Sequence, residues 1–330
     1  GAALALKGKI ELYNGMYAQA AETLKEVIDL KDENGALRYD LYPLYRELFL
    51  PQNEDNCEVI FDIQYMKNAY SQGLSHQLYT FTYEWNSYCP TSALAESYYT
   101  KNGYPVSWNA ETQLYESADP AFDPTYPYKD RDPRLDQSII MPGTDNGRGA
   151  IFLPSSSNHT GMKIRKWNDY TETEKNNSEH NIILIRFADV LLMRAEALVE
   201  SGTFDEAEVR GLIDRVRQRP SVMMPKVEDI EGTELDANAL RAIIRHERRV
   251  EFAFEGTRVS DIRRWRIGPE VMTDAYGYKY QDVRLNPPKY IPYKVDTRSF
   301  NPNRDYLWPI PQNEINTNPF INAPDQNPGY

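Results

Sequence analysis

Only two cysteines, Cys57 and Cys89, occur in 330 residues, so no disulfide framework is implied, and neither has a second cysteine at metal-ligand spacing. Long apolar runs are missing as well. The longest aliphatic stretches are of the kind Ile182-Ile183-Leu184-Ile185, and mean hydropathy is −0.67. A membrane-spanning helix, which needs about 20 apolar residues in succession, has no candidate. Positive charge is in deficit: 37 Lys and Arg against 49 Asp and Glu leave a formal −12, which repels phosphate backbones and argues against nucleic acid as a ligand. Histidine is scarce, and His76, His159, His180 and His246 fall at no metal-ligand spacing. No nucleophile elbow, phosphate-binding loop or dinucleotide fingerprint is present, since Gly147-Arg148-Gly149 neither follows a strand pattern nor opens a helix. No cofactor and no metal are expected.

Aromatic residues, by contrast, are plentiful: 24 Tyr, 11 Phe and 5 Trp. Rings in such number either pack extensive loops or present flat faces to a ligand. From Leu4 to Leu30 the pattern is a helical hairpin, with Leu4, Gly8 and Leu12 on one helix, a turn at Asn14-Gly15, and Tyr17, Ala20, Ala21, Leu24 and Ile28 on the next. The pattern returns 187 residues later, with Leu191 for Leu4, Ala195 for Gly8, Gly202 for Gly15, Phe204 for Tyr17 and Ala207 for Ala20. Small residues permit close helix approach and the glycine takes the turn, which is the tetratricopeptide-type unit. Between the hairpins, Val59, Phe61, Ile63 and Tyr65 alternate as the inner face of a half-buried strand, and a short helix is expected from Ala93 to Lys101. Pro and Gly punctuate residues 104–171, an ordered loop region. Asp236 caps a helix expected to reach Phe254, Gly256 stops it, a shorter helix follows to Trp265, and the last 60 residues return to loop. The fold class is mainly α: an α/α superhelix of tetratricopeptide-like hairpins with long ordered loops and a few short strands. One domain over 1–330 divides into a hairpin (1–30), a loop-rich ligand face (31–170), a hairpin with Arg/Glu-rich helices (171–266) and a loop-rich terminal segment (267–330).

The densest charge lies from Arg241 to Arg266, where eight Arg meet Glu247, Glu251, Glu255 and Asp261. Acids at 247, 251 and 255 share a helix face, and arginines of the same and the next helix can fork onto them, which reads as a structural clamp rather than an anion or catalytic site. His246-Glu247 opens like a zinc-protease helix, but position 250 is Val where the second His would stand. The string Asp119, Asp123, Asp130, Asp132, Asp136 is broken as a calcium loop by Pro120, Pro124 and Pro133. The ligand candidate is the aromatic loop at 67–90. In extended chain Tyr79, Phe81, Tyr83 and Trp85 project to one side, and Gln77, Glu84 and Asn86 can take sugar hydroxyls. The expected ligand-binding residues are Tyr79, Tyr83, Trp85, Asn86 and Tyr88; a wall packed on the protein's own helices is the competing reading.

Several segments together are similar to the SusD/RagB family of outer-membrane nutrient-binding lipoproteins. They are Ile185-Arg186-Phe187-Ala188-Asp189-Val190-Leu191-Leu192 with Arg194-Ala195-Glu196-Ala197; Ile244 to Arg258 leading to Asp261-Ile262-Arg263-Arg264-Trp265; Leu307-Trp308-Pro309-Ile310-Pro311; Arg131-Asp132-Pro133-Arg134; and Lys163-Ile164-Arg165-Lys166-Trp167. The resemblance implies a cell-surface protein, lipid-anchored in the outer membrane, that holds a glycan, or in some members a peptide, for a SusC-like TonB-dependent transporter and does no covalent chemistry. It also implies that the front of the family's chain, with signal peptide and lipidated cysteine, lies upstream of Gly1. The alternatives from other classes are a tetratricopeptide-type peptide-binding adaptor and a glycoside hydrolase.

Overall fold

A computed structural model of the chain describes residues 1–73, 88–172, 174 and 176–330. Helices α1 (Ala2–Tyr13) and α2 (Tyr17–Ile28) form the first hairpin. After the short α3 (Ser92–Glu96) and α4 (Arg134–Ser138), helices α5 (Phe187–Glu200) and α6 (Glu206–Arg217) form the second. Gly15 and Gly202 sit in their turns at φ of 75° and 78°, a left-handed conformation that costs glycine little. A Cβ on Gly8 would lie 2.7 Å from Leu24, so the first hairpin closes only because that side chain is missing. Helix α2 packs on α5, which joins the two hairpins into one layered core with Ala5, Leu24, Leu191, Ala195 and Ile213 fully buried.

Beyond α7 (Val227–Ile230), helix α8 (Ala237–Glu251) begins where Asp236 accepts the Ala239 N–H at 2.8 Å, as the cap requires. It ends three residues before the expected Phe254. Phe254 and Gly256 turn the chain through left-handed backbone, φ 65° and 78°, into α9 (Thr257–Arg264). The expected helix from Ala93 to Lys101 likewise closes early, at Glu96.

Among the described residues eight short strands pair two by two, all antiparallel: β1 (Val59–Ile63) with β6 (Ile182–Arg186), β2 (Val106–Asn109) with β3 (Leu114–Ser117), β4 (Ile139–Ile140) with β5 (Lys163–Ile164), and β7 (Ala275–Tyr278) with β8 (Pro292–Asp296). The stretches read as loop, 104–171 and the last 60 residues, therefore contain hairpins. Strand β1 faces the other way from its alternation. Ile60 is buried, whereas Phe61 and Ile63 are 44% and 45% exposed. A register shift between Val59 and Phe61 interrupts the pleat, and Glu58, wholly buried on Arg186 and Arg219, fixes the strand's entry.

Many of the tyrosines are structural. In a second core under the loops, Tyr115, Tyr128, Tyr278 and Tyr290 pack edge to face, and their hydroxyls pair instead of facing apolar matter unsatisfied. Tyr115 meets the Tyr278 hydroxyl at 2.6 Å and donates to Glu96 at 2.7 Å, and Tyr128 joins the same group.

The clamp expected on α8 exists, with different partners. Glu247 accepts from Arg134 and Arg217, Glu251 from Arg134, Arg186 and Arg219, and Glu255 from Arg186 and Lys166. None of these cations lies on α8 or α9. With Glu58 and Asp132 the network holds five carboxylates against five cations, all nearly sealed from solvent. Arg248 turns the opposite way, to Asp189 at 2.8 Å and Asp261 at 3.1 Å, tying α8 to α5 and α9.

Candidate functional site

A groove of about 580 Å³ opens between α1, β6 and the turn from α8 into α9. Among the described residues four rings line it, Phe254 in that turn and three others. Tyr13 stands at the end of α1, Trp167 lies at the base, and Tyr88 forms a wall while 58% exposed. Ile164, Ile182, Ile183 and Leu184 supply apolar surface, and Lys9, Glu255, Thr257 and Ser260 supply polar atoms. Such a mixture, mostly apolar with a few convergent polar groups, is what a ligand cleft needs.

Each wall is held from behind. Trp167 donates its indole N–H to the Phe254 carbonyl at 3.1 Å and packs on Phe49 with ring centroids 4.6 Å apart. Trp167 and Phe254 both occupy left-handed backbone, φ 68° and 65°. For bulky residues that conformation costs on the order of 1–3 kcal/mol, and the surrounding contacts must hold it in place. Lys9 donates to Asp189 at 3.1 Å, and the charge of Asp189 raises its pKa, so the rim stays cationic. Burial of Tyr13 raises its phenol pKa, so the hydroxyl stays a neutral donor. Glu255 accepts from Lys166 at 2.6 Å and from Arg186 at 2.7 Å, which occupies both carboxylate oxygens.

Of the residues expected to bind ligand, Tyr79, Tyr83, Trp85 and Asn86 lie outside the described residues. Tyr88, where the described chain resumes after the aromatic segment, lines the groove. Tyr13, Lys9 and Thr257 were not expected there. Tyr13 and Lys9 belong to a hairpin whose pattern is structural, and only the approach of β6 and α9 places them beside Trp167. Cys57 and Cys89 are not joined in a disulfide. His246 stacks on Tyr99 with centroids 4.0 Å apart and contacts the Ser97 carbonyl, a packing role. Among the described residues no group of three or more His, Cys, Asp and Glu could hold a metal ion, and no helix is long and apolar enough to cross a membrane.

The model of the SusD family matches residues 57–330, most of the chain. The chain belongs to the SusD family. SusD-like protein P2 of Formosa agariphila is 27% identical over 347 aligned positions, which take in 99% of this chain and 59% of that protein. A SusD-like carbohydrate-binding protein of Bacteroides fragilis NCTC 9343 is 31% identical, with a TM-score of 0.79 over 96% of this chain and 63% of its own. A second SusD-like protein of the same organism is 30% identical and superposes with a TM-score of 0.78 over 100% of this chain and 65% of its own. The helical scaffold with few short strands is thus the SusD fold, and the chain spans about three-fifths of these relatives' length.

Proposed function

We propose that this SusD-family chain binds an oligosaccharide without altering it and passes it to a SusC-like TonB-dependent transporter at the outer face of the outer membrane, where a lipid anchor would hold it. The observation that carries the reading is the groove in which Tyr88, adjoining the aromatic segment, meets Tyr13 and Trp167. Pyranose rings present flat C–H faces that stack on aromatic side chains, and the Tyr13 hydroxyl, Thr257, Ser260 and Lys9 lie where sugar hydroxyls would need partners. The Bacteroides fragilis relative that is 31% identical is described as carbohydrate-binding, which supports the same chemistry here. A non-catalytic role is supported by Glu255. It is the one carboxylate among the described residues that line the groove, and with both oxygens held by cations it has no free edge for general acid or base work.

Isothermal titration with a panel of neutral and acidic oligosaccharides tests the proposal. A stacked ring is worth about 0.5–1.5 kcal/mol beyond its buried area, so Tyr88→Ala should weaken binding roughly two- to tenfold. Tyr83→Ala and Trp85→Ala should each weaken it as well, with an unchanged far-UV spectrum. The bound sugar should be recovered intact. Equal affinity in all three variants, or release of reducing ends, defeats the proposal, and tight binding of unrelated peptides in place of any glycan would favour an adaptor.

A further inference from the structure

Behind the turn that carries Phe254 and Thr257 lies a second cleft, of about 290 Å³, closed on its other sides by the start of α3 and the segment at Val271-Met272. Among the described residues four arginines, Arg248 one of them, line it against a single carboxylate, Asp261. The other three are Arg249, Arg258 and Arg298. Arg249 gives one N–H to the Ala93 carbonyl at 2.6 Å, and Arg298 gives one to the Thr273 carbonyl at 2.7 Å. Among the described residues Arg258 donates to nothing, and none of the three enters an ion pair. The acid that shares the cleft, Asp261, is already taken by Arg248 and Arg264. Glu96, whose charge also reaches Arg249, accepts the Tyr115 hydroxyl.

A chain with net charge −12 balances its deep cations five against five around Glu251, yet leaves three guanidinium groups together in one cleft. They repel one another: burial, and then the neighbouring charge of Arg249, pull the Arg258 pKa down to about 10. Like charges gathered in a half-buried cleft cost stability unless an anion joins them, and the guanidinium fork matches the two oxygens of a carboxylate or a sulfate. Leu94, Phe252 and Met272 give the cleft an apolar side, and Thr91 and Thr257 give it hydroxyls. The volume lies at the small end for ligand pockets and suits about one sugar ring.

We propose that this cleft is an anion subsite that takes the carboxylate or sulfate group of one acidic sugar unit. The assignment rests on the glycan-binding reading of the groove and narrows its substrate class to acidic saccharides. The two cavities share Phe254, Gly256 and Thr257 as a common wall.

Titration of the chain with trigalacturonate and with its methyl ester, the same rings without charge, decides the matter. The acid should bind at least about tenfold more tightly than the ester, a difference of about 1.4 kcal/mol. That preference should vanish in Arg258→Gln and shrink in Arg298→Gln while ester affinity stays as in the wild type. Inorganic sulfate should compete with the acid and should raise the Tm of the wild type but not of Arg258→Gln. Because Arg258 has no partner to lose, that variant should melt no lower than the wild type. Equal affinity for acid and ester, or a preference that survives both substitutions, overturns the anion subsite and leaves the glycan reading standing. No saccharide binding at all, with sulfate still raising Tm through Arg258, overturns the glycan reading and its sugar but keeps an anion site. A Tm indifferent to sulfate together with no uronate binding removes the subsite altogether.

Discussion

Glu251 shows how far single residues in this protein depend on distant ones. Its side chain has no exposed surface, and its two oxygens accept from Arg134, Arg186 and Arg219 at 2.9, 2.8 and 3.0 Å. Burial alone would raise its pKa, but Arg186, Arg219 and Arg134 overcome that and hold it below the usual carboxylate range. Removing one member of a buried ionic network leaves the others uncompensated, so Glu251→Gln should destabilise the chain by about 3–5 kcal/mol in denaturant titration. The exposed pair Lys101–Asp130, with both side chains 53% exposed, offers the contrast. Lys101→Ala should cost less than about 1 kcal/mol, because water already solvates both charges. A loss below about 1 kcal/mol for Glu251→Gln would mean that the network is wet or dispensable.

The helical hairpins were legible in the sequence because their constraint is local. Gly8, Gly15 and Gly202 mark a close approach and two left-handed turns, and each does that work where its spacing said it should. A matched pair of substitutions measures the argument. Gly8→Ala puts a Cβ 2.7 Å from Leu24, which is fully buried and has no room to retreat, so a loss of about 1–3 kcal/mol is expected. Gly211 lies mid-helix in α6 with nothing within 4 Å of the added Cβ. Gly211→Ala should therefore gain about 0.5–1 kcal/mol, the ordinary helix preference for Ala. Similar changes in midpoint for the two variants would refute the packing role of Gly8. Elsewhere the local signal failed for physical reasons. The alternation of β1 was true as a pattern but its facing was set by Glu58, whose partners are 128 and 161 residues away. The acids of α8 were recognisable as a clamp, yet ion pairs carry no sequence period, so Arg134, Arg186, Arg217, Arg219 and Lys166 were not predictable as their partners. The groove arises where α1, β6 and the turn into α9 converge, and of its rings only Tyr88 belonged to the segment expected to bind ligand.

At the scale of the whole molecule, the charge network lies between the helical core and the tyrosine-rich core, so both should respond together to pH. Glu58, Glu247, Glu251 and Asp189 are buried, which by itself raises their pKa, but the arginines and Lys9 beside them prevail and hold all four below the ordinary carboxylate range. A group depressed in the folded state lends stability that is complete above its unfolded pKa, about 4, and is lost as pH falls further. At the other end, burial raises the phenol pKa of Tyr45, Tyr98, Tyr128 and Tyr278, and lifts that of Tyr290 to about 12. Unfolded tyrosine ionises near about pH 10, so above that value the unfolded chain releases protons that the folded one retains, and stability falls. Lys166 works in the opposite sense: burial pulls it down to about 8 against the partial support of Glu255, so it adds stability as pH rises from there toward its unfolded value. One lysine against several phenols only softens the alkaline limb. Tm should therefore drop below about pH 4 and again above about pH 10. Far-UV helicity and near-UV tyrosine signal should melt together throughout, and Glu251→Gln should flatten the acid limb by removing one of the carboxylates that must protonate. An acid limb unchanged in that variant, or tyrosine signal lost well before helicity, would show that the two cores are not joined through the network.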